Sequence, residues 1–257
     1  MERIAAQLYT VRKFTQTPAD VAETFRKVRA IGYEAAQVSA FGPIEPAELR
    51  RVADDAGVQI VVTHTAFNRL RDDLDGVIEE HRTIACEHVA IGSMPGEMRN
   101  GEDGFHAFAV WANHVGARLR EAGLDFHYHN HAFEMERFGG RTGFDILIGE
   151  TDPANLGFEL DTYWIQAGGG DPAVWIEKVA GRVPLLHVKD MVGAPENKGA
   201  FAEIGEGNLN WPAIVKAARA AGVEWHIVEQ DTCKGDPFDS LKISLDNLRA
   251  MGVGERE

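Results

Sequence analysis

The sequence predicts an α/β protein that folds as a single (β/α)8 TIM barrel over residues 1–257. Short apolar segments alternate with helical patterns along the whole chain, and eight such strand–helix units can be counted. One phrase, a helix end followed by a glycine and a strand start, recurs as RAIGYEAAQV, DDAGVQIVV, REAGLDFHY and RAAGVEWHIV. The length of 257 residues also fits, because barrels of this class have about 250 residues.

Eight short runs rich in Val, Ile and Leu are predicted to be strands that are covered on both faces. They are Arg3–Leu8, Tyr33–Val38, Val58–Thr63, His88–Gly92, Leu124–His129, Leu156–Asp161, Pro184–Val188 and Trp225–Glu229. Eight such units in one chain favour a closed barrel over an open doubly wound sheet. No GxGxxG or GxxxxGK(S/T) motif follows any of these runs, so a nucleotide-binding fold has no support.

Helical patterns lie between the predicted strands. Pro18–Ile31 places Val21, Phe25 and Val28 on one stripe, and Gly32 follows as a stop signal. The other predicted helices are Pro46–Ala56, Leu74–Cys86, Phe105–Ala122, Phe144–Ile148, Pro172–Val179, Pro212–Ala221 and Phe238–Met251.

The composition argues against several classes of protein. The net charge is −14, and an acidic chain repels phosphate backbones, so no nucleic-acid partner is expected. No apolar run approaches the roughly 18 residues of a membrane span, and the start MERIAAQLYTVRKF lacks the apolar segment of a signal peptide. Cys86 and Cys233 form no CxxC motif and read as free thiols. We therefore expect a cytoplasmic protein with no membrane partner, and a homo-oligomer is compatible with the sequence.

The carboxyl ends of the last four strands carry imidazoles and carboxylates, in HYHNH (127–131), FELD (158–161), LLHVKD (185–190) and HIVEQD (226–231). Active sites of such barrels lie at these strand ends, and alternate residues of a strand face the interior. One inward residue from each strand gives the set His129, Asp161, His187 and Glu229. Mixed imidazole and carboxylate ligands suit manganese, cobalt, iron(II) or zinc and suit calcium poorly. The predicted cofactor is one divalent ion, with manganese as the first choice and magnesium as a further option.

Some neighbours of these residues leave alternatives open. Glu134 is interpreted as a group that contacts the substrate or that supports the ligands from behind, but it could replace His129 as a metal ligand if the fifth strand ends later. His127 is interpreted as a core residue or as a group that supports the ligands from behind. Glu159 is interpreted as a buried partner, because two adjacent inward carboxylates at one metal would repel each other.

The catalytic candidates are groups that can move a proton near neutral pH. Glu229, His129 and His131 are candidate bases. Lys189 could stabilise an oxyanion or give a proton, or it could form a salt bridge to Asp190 or to another carboxylate.

Candidate substrate-binding residues come from several strand ends. Gln7 and Tyr9 follow the first strand, His64 follows the third, and Trp164 follows the sixth. His64 could equally be structural, and Trp164 could equally pack in the core. In IGEGNLNW (204–211) the glycines are interpreted as turn formers rather than phosphate binders, which argues against a phosphorylated substrate.

Several stretches resemble the xylose-isomerase-like TIM-barrel superfamily, often called sugar phosphate isomerases/epimerases, and in particular a subgroup with a YHNH motif. They are AAQLYTVR, YHNHAFEME, ELDTYWIQAGGGDP, GRVPLLHVKD, IGEGNLNWPAI and VEWHIVEQD, in an order and spacing that cover about residues 4–250. The resemblance implies a divalent metal, with Asp161, His187 and Glu229 as ligands. The ketose epimerases of the superfamily have an acid/base glutamate at the fifth-strand position, where this chain has His129.

The resemblance implies an enzyme of carbohydrate metabolism with a small-molecule sugar substrate. We expect a divalent-metal-dependent isomerase or epimerase that works through an enediolate-type proton transfer on a keto-sugar or related polyol. The alternative is a metal-dependent lyase, dehydratase or deglycosylating enzyme for an inosose or a 3-keto-glycoside, which the YHNH subgroup also resembles. An apurinic-site endonuclease shares the barrel, but the net charge of −14 argues against it. A sugar-binding barrel without catalysis is the last alternative.

Overall fold

The computed structural model describes residues 2–195 and 198–254, and its centre is a closed barrel of eight parallel strands. The barrel strands are β1 (Arg3–Gln7), β2 (Ala35–Val38), β3 (Gln59–His64), β4 (His88–Ile91), β5 (Asp125–His129), β6 (Gly157–Asp161), β7 (Leu185–Val188) and β8 (Trp225–Val228). They follow one another around the barrel in chain order. The barrel closes where β1 pairs with β8, with Arg3 opposite Trp225. The predicted fold is confirmed, and each strand lies within two residues of its predicted bounds.

Ten helices are found in the described part of the chain. They are α1 (Pro18–Ile31), α2 (Pro46–Ala56), α3 (Phe67–Asp72), α4 (Leu74–Ile84), α5 (Glu102–Glu121), α6 (Gly143–Glu150), α7 (Thr162–Ala167), α8 (Pro172–Lys178), α9 (Trp211–Ala221) and α10 (Pro237–Ala250). None of those helices combines the length and apolarity that crossing a bilayer requires. The first two have the predicted bounds, and α5 begins three residues earlier than predicted.

The recurring glycine phrase marks turns that need a left-handed residue. Gly32, Gly57, Gly123 and Gly222 all have positive φ, between +69° and +119°. Only glycine adopts this conformation without steric cost, which is why one phrase recurs before four different strands.

The elements that were not predicted all follow the carboxyl end of a strand. They are α3 and α7, the 3₁₀ helices Leu8–Phe14, Gly96–Met98 and Phe133–Met135, and two hairpins, Arg137–Phe138 with Arg141–Thr142 and Asp190–Ala194 with Lys198–Ala202. They lie on one face of the barrel. This face also carries the predicted site.

The barrel interior changes character along its axis. A cluster of buried apolar side chains fills much of it, including Ala5, Val62, Ala90, Leu185 and Ile227. Towards the carboxyl ends, polar side chains take their place. Gln37, Glu159 and His187 are all fully buried there. A buried polar group is stable only when it has partners, so this layer defines the site.

Candidate metal centre and active site

The four predicted ligands meet at the carboxyl ends of β5 to β8. His129, Asp161, His187 and Glu229 each offer one ligand atom, and these atoms lie within 4.8 Å of one another. All four side chains are buried. Glu134 does not belong to this group. Two imidazoles and two carboxylates fit a transition-metal ion, and the ion itself stays a prediction.

His129 is held with one nitrogen towards the cluster. Its Nδ1 lies 2.9 Å from the carbonyl oxygen of Gly92, which can only accept a hydrogen bond. Nδ1 therefore carries a proton, and Nε2 is the nitrogen that faces the cluster. Nε2 lies 3.3 Å from Oδ2 of Asp161. The ring is therefore oriented so that Nε2 is the nitrogen offered to a metal ion.

Asp161 is fixed from two sides. Its Oδ1 accepts a hydrogen bond of 2.9 Å from the backbone N–H of Trp164 and so caps α7. Its own backbone N–H donates to the side chain of Asn130 at 2.9 Å. Burial by itself would raise the pKa of this carboxyl, but Lys189 and His129 lower it overall. Oδ2 is left to face the cluster as an anion.

His187 lies between two carboxylates. Its Nδ1 is 3.1 Å from Oε2 of Glu229, and its Nε2 is 3.2 Å from Oε1 of Glu159. Nε2 also lies 2.7 Å from Oε1 of Gln37. Burial would lower the pKa of the imidazole, but Glu159 and Glu229 raise it to about 10. The cluster therefore has a field that strongly favours a cation.

Lys189 brings a cation into this field. Its Nζ lies 2.6 Å from Asp231, 3.0 Å from Glu229 and 3.4 Å from Asp161, and its side chain is 1% exposed. Burial would lower its pKa, but these three carboxylates raise it, so the ammonium form is held. Lys189 forms salt bridges with these partners, and its role in proton transfer stays a prediction.

Asp190 is not the partner of Lys189, although it is the next residue. Its Oδ2 accepts hydrogen bonds from the backbone N–H groups of Gly205 and Gly207 and from Nε1 of Trp211. A Cβ on Gly207 would lie 2.3 Å from Oδ1 of Asp190, so glycine is required there. The glycine-rich loop thus holds a carboxylate of this chain.

A cavity of about 390 Å³ opens above the cluster at the barrel mouth. Five predicted site residues line it together with His129 and Glu229: Tyr9, His64, His131, Trp164 and Lys189. The rings of His131 and Trp164 lie 5.0 Å apart and form one wall. Burial and the neighbouring His129 lower the pKa of His131 to about 3, so this imidazole is neutral near pH 7.

Two predicted substrate residues do not line this cavity. Gln7 is fully buried, and its side chain accepts a hydrogen bond from the backbone N–H of Tyr9. Glu134 is also fully buried, where its carboxylate accepts hydrogen bonds from the hydroxyl of Tyr128 at 2.6 Å and from the backbone N–H of His131 at 2.9 Å. Their contact with a substrate stays a prediction. Both side chains hold the backbone that carries cavity residues.

Asp231 was missed by the sequence reasoning although it lines the cavity. It lies two residues after Glu229, with the same parity, in the quoted segment HIVEQD. Strand parity could have found it, had β8 been extended past its last paired residue.

Comparisons with known proteins agree with this architecture. The chain is 28% identical over 157 residues to an inosose dehydratase of Lacticaseibacillus casei, which is 54% of this chain and 51% of the relative. This chain therefore spans about half the length of that curated relative. A sugar phosphate isomerase/epimerase structure from Parabacteroides distasonis superposes with a TM-score of 0.80 at 23% identity, covering 97% of this chain and 94% of the other. An L-ribulose 3-epimerase structure gives a TM-score of 0.73 at 16% identity, covering 100% and 99%.

At these identities the two structures show the fold alone. The protein-family model for the xylose isomerase-like TIM barrel matches residues 25–251, which is most of the chain. The predicted resemblance is confirmed, and the chain belongs to the xylose isomerase-like TIM barrel family.

Proposed function

We propose that this protein is a metal-dependent lyase that removes water from a keto-polyol of the inosose type. The observation that carries the proposal is that its acid and base groups stand on one wall. Glu229, Lys189 and Asp231 follow β7 and β8 and are joined by contacts of 3.0 and 2.6 Å. The fifth-strand position carries the imidazole of His129, held by Gly92, rather than a carboxylate.

This arrangement suits proton transfer on one face of a substrate. An epimerase must remove a proton from one face of a carbon and return one to the other, which requires an acid/base group on each side. An elimination needs only a base and an acid on one side. The similarity to an inosose dehydratase supports the same choice.

Four side chains would hold the metal: His129, Asp161, His187 and Glu229. The bound ion would polarise the carbonyl and the adjacent hydroxyl of the substrate and make the neighbouring C–H bond acidic. The protein's own groups move the protons.

Glu229 takes the proton from carbon. Burial would raise its pKa, but Lys189 and His187 keep it well below its ordinary value, so the carboxylate is ionised near pH 7. The electrons of the C–H bond form the double bond of an enolate. When the carbonyl re-forms, this electron pair makes the new C=C bond, and the neighbouring C–O bond breaks with its electrons leaving on the hydroxyl. Lys189 gives its proton to the departing hydroxyl, which leaves as water. The contact of 3.0 Å lets Glu229 return a proton to Lys189. Asp231 keeps Lys189 in place at 2.6 Å.

Isomerisation is the second candidate, because the same wall could return the proton to an adjacent carbon without loss of a hydroxyl. The test is to incubate Mn²⁺-loaded protein with an inosose in deuterated water and follow product mass and deuterium at the carbon next to the carbonyl. Loss of one water supports the lyase, and a product that keeps all its oxygens and gains deuterium supports the isomerase. Absence of both product and exchange across a panel of inososes and keto-sugars would refute the proposal.

A further inference from the structure

Beneath the four-residue cluster lies a polar layer to which the mechanism above gives no role. Gln37 on β2 and Glu159 on β6 are both fully buried inside the barrel. Three N–H groups lie close to Glu159, and two of them, from His64 and Gln37, hydrogen-bond to its Oε2. His64 Nε2 lies 2.6 Å from its Oε2, Gln37 Nε2 lies 3.3 Å from the same oxygen, and His187 Nε2 lies 3.2 Å from Oε1.

The carboxylate of Glu159 decides how Gln37 is oriented. An ionised carboxylate only accepts hydrogen bonds, so the amide nitrogen of Gln37 must face it. The carbonyl oxygen of Gln37 then faces His187 Nε2 at 2.7 Å and must accept from it. His187 therefore carries a proton on Nε2. Its other nitrogen, Nδ1, is the one left to face Glu229 and the cluster.

Glu159 orients His64 directly by the same rule. Since His64 Nε2 donates to the carboxylate, its Nδ1 is turned towards the other side of the ring, where Oγ of Ser39 lies at 3.4 Å. His64 and Ser39 both line the cavity at the barrel mouth. One buried carboxylate thus sets the direction of one imidazole in the cluster and one imidazole in the cavity wall.

We propose that Glu159 is the positioning residue of the metal centre, acting on His187 through Gln37 and on His64 directly. The proposal rests on the metal site of the proposed function. Carboxylates and carbonyls behind a ligating histidine fix its ring, and their loss typically weakens metal binding about 10- to 100-fold. In this chain the two kinds of group act in series, because Glu159 orients the amide that holds His187.

The test begins with Glu159→Gln. A side-chain amide replaces one acceptor oxygen by an NH₂ group. This NH₂ group would face either the N–H of His187, which lies near Oε1, or the N–H groups of His64 and Gln37, which donate to Oε2, so a facing donor would have to turn. Titration calorimetry of chelator-stripped protein with Zn²⁺ is expected to show binding about 10- to 100-fold weaker than in the wild type. Wild-type affinity in this variant would overturn the proposal.

Glu159→Asp separates positioning from the effect of charge alone. It keeps the negative charge but is one methylene shorter, so it cannot reach all three donors from the same backbone position. We expect weakened binding here too, whereas wild-type affinity in the Asp variant would show that charge alone is needed. The control is Glu203→Gln, the same change at a half-buried carboxylate that accepts a hydrogen bond from Ser240 outside the cluster, which should leave Zn²⁺ affinity unchanged.

A measurement on the wild type tests the role of Glu159 even if a variant does not fold. ¹⁵N NMR of the histidine rings should show a proton on Nε2 of both His187 and His64, with and without Zn²⁺. An unprotonated Nε2 in either ring would overturn the proposal. His64, Glu159 and His187 are also close enough together to hold a metal ion. If Zn²⁺ binding removed the proton from His64 Nε2, the ion would be bound by Glu159 itself, and the proposal would be overturned. If the wild type binds no divalent ion, the proposed function fails, while the metal-free spectrum still tests Glu159.

Discussion

The two ends of the barrel use the same residue types to opposite effect. At the carboxyl end, His129 and His187 stand among the carboxylates of Asp161 and Glu229. At the amino end, His88 and His127 face each other, with Nδ1 and Nε2 3.0 Å apart. Strand β5 contributes to both, because His127 and His129 lie two residues apart on its inward side.

The difference lies in the partners of the imidazoles. Burial would lower the pKa of His187, but two buried carboxylates raise it to about 10. Burial and the neighbouring His88 lower the pKa of His127 to about 3. The carboxylate near His88 and His127 is that of Asp125, whose side chain is 67% exposed, so water screens its charge. Buried carboxylates, rather than clustered imidazoles, make one end attractive to a cation.

The first way to break this comparison is to remove one imidazole from each end. His187→Ala should abolish both metal binding and activity, because it takes away one of the four proposed ligands; Asp161→Ala should do the same. The matched variant His127→Ala should keep both. Elemental analysis of purified proteins would check this. Metal lost equally from the His127 variant, or a wild type with no stoichiometric metal, would contradict the assignment.

The second way is to remove the Lys189 ammonium group, which neutralises carboxylates at the carboxyl end of the barrel. Lys189→Met leaves Asp161, Glu229 and Asp231 without it, and breaking a buried ion pair from one side typically costs about 3–5 kcal/mol. The loss should appear in urea unfolding with chelator and shrink when Mn²⁺ is present, since the ion replaces the lost charge.

The control for this experiment is Lys242→Met. Lys242 forms an exposed pair with Asp246, with side chains 57% and 53% exposed, and such pairs contribute about 0–1 kcal/mol. A Lys189 variant as stable as this control without metal would show that the buried carboxylates are neutralised by protons instead.

Many of the site residues at the carboxyl end of the barrel could be predicted because they lie in strands or directly after them. The βα periodicity gave the barrel, and the period of two along each strand selected His129, Asp161, His187 and Glu229. Parity fails once a strand ends. Glu134 lies in a 3₁₀ helix and turns to Tyr128, so its place could not be derived from β5.

The partner of Lys189 could not be predicted for a related reason. Asp190, Glu229 and Asp231 were all within reach of the sequence argument, and only tertiary structure separates them. The glycine-rich loop binds Asp190, which leaves the other two carboxylates for Lys189.

The third way tests whether Glu229 does more than hold an ion. Glu229→Gln keeps the shape and one oxygen ligand but loses the basicity. It should retain much of the metal and lose at least about 10²-fold in turnover, the low end for a general base. Exchange of solvent deuterium at the substrate carbon next to the carbonyl should disappear with it. Near-normal exchange in a metal-loaded variant would move the base elsewhere, with His131 as the first candidate.

The smallest expected effect concerns the amino end of the barrel, where His127 makes the stability of the protein depend on pH. The unfolded chain protonates His127 below its ordinary pKa of 6.5, whereas the folded protein resists protonation until about pH 3. The unfolded state therefore binds more protons between these values, and His127 lowers stability as the pH falls below 6.5. At pH 5 this amounts to about 2 kcal/mol relative to pH 7.5.

His127→Gln should remove that penalty while losing the hydrogen bond to His88, which is worth about 1 kcal/mol. We therefore expect the variant to be less stable than the wild type at pH 7.5 and more stable at pH 5, by urea unfolding at both values. His114→Gln changes an exposed histidine and should keep the wild-type pH dependence. If the free energy of unfolding changed equally with pH in the wild type and the His127 variant, His88 and His127 would bind protons in the folded state. The two ends of the barrel would then differ less in charge than their geometry indicates.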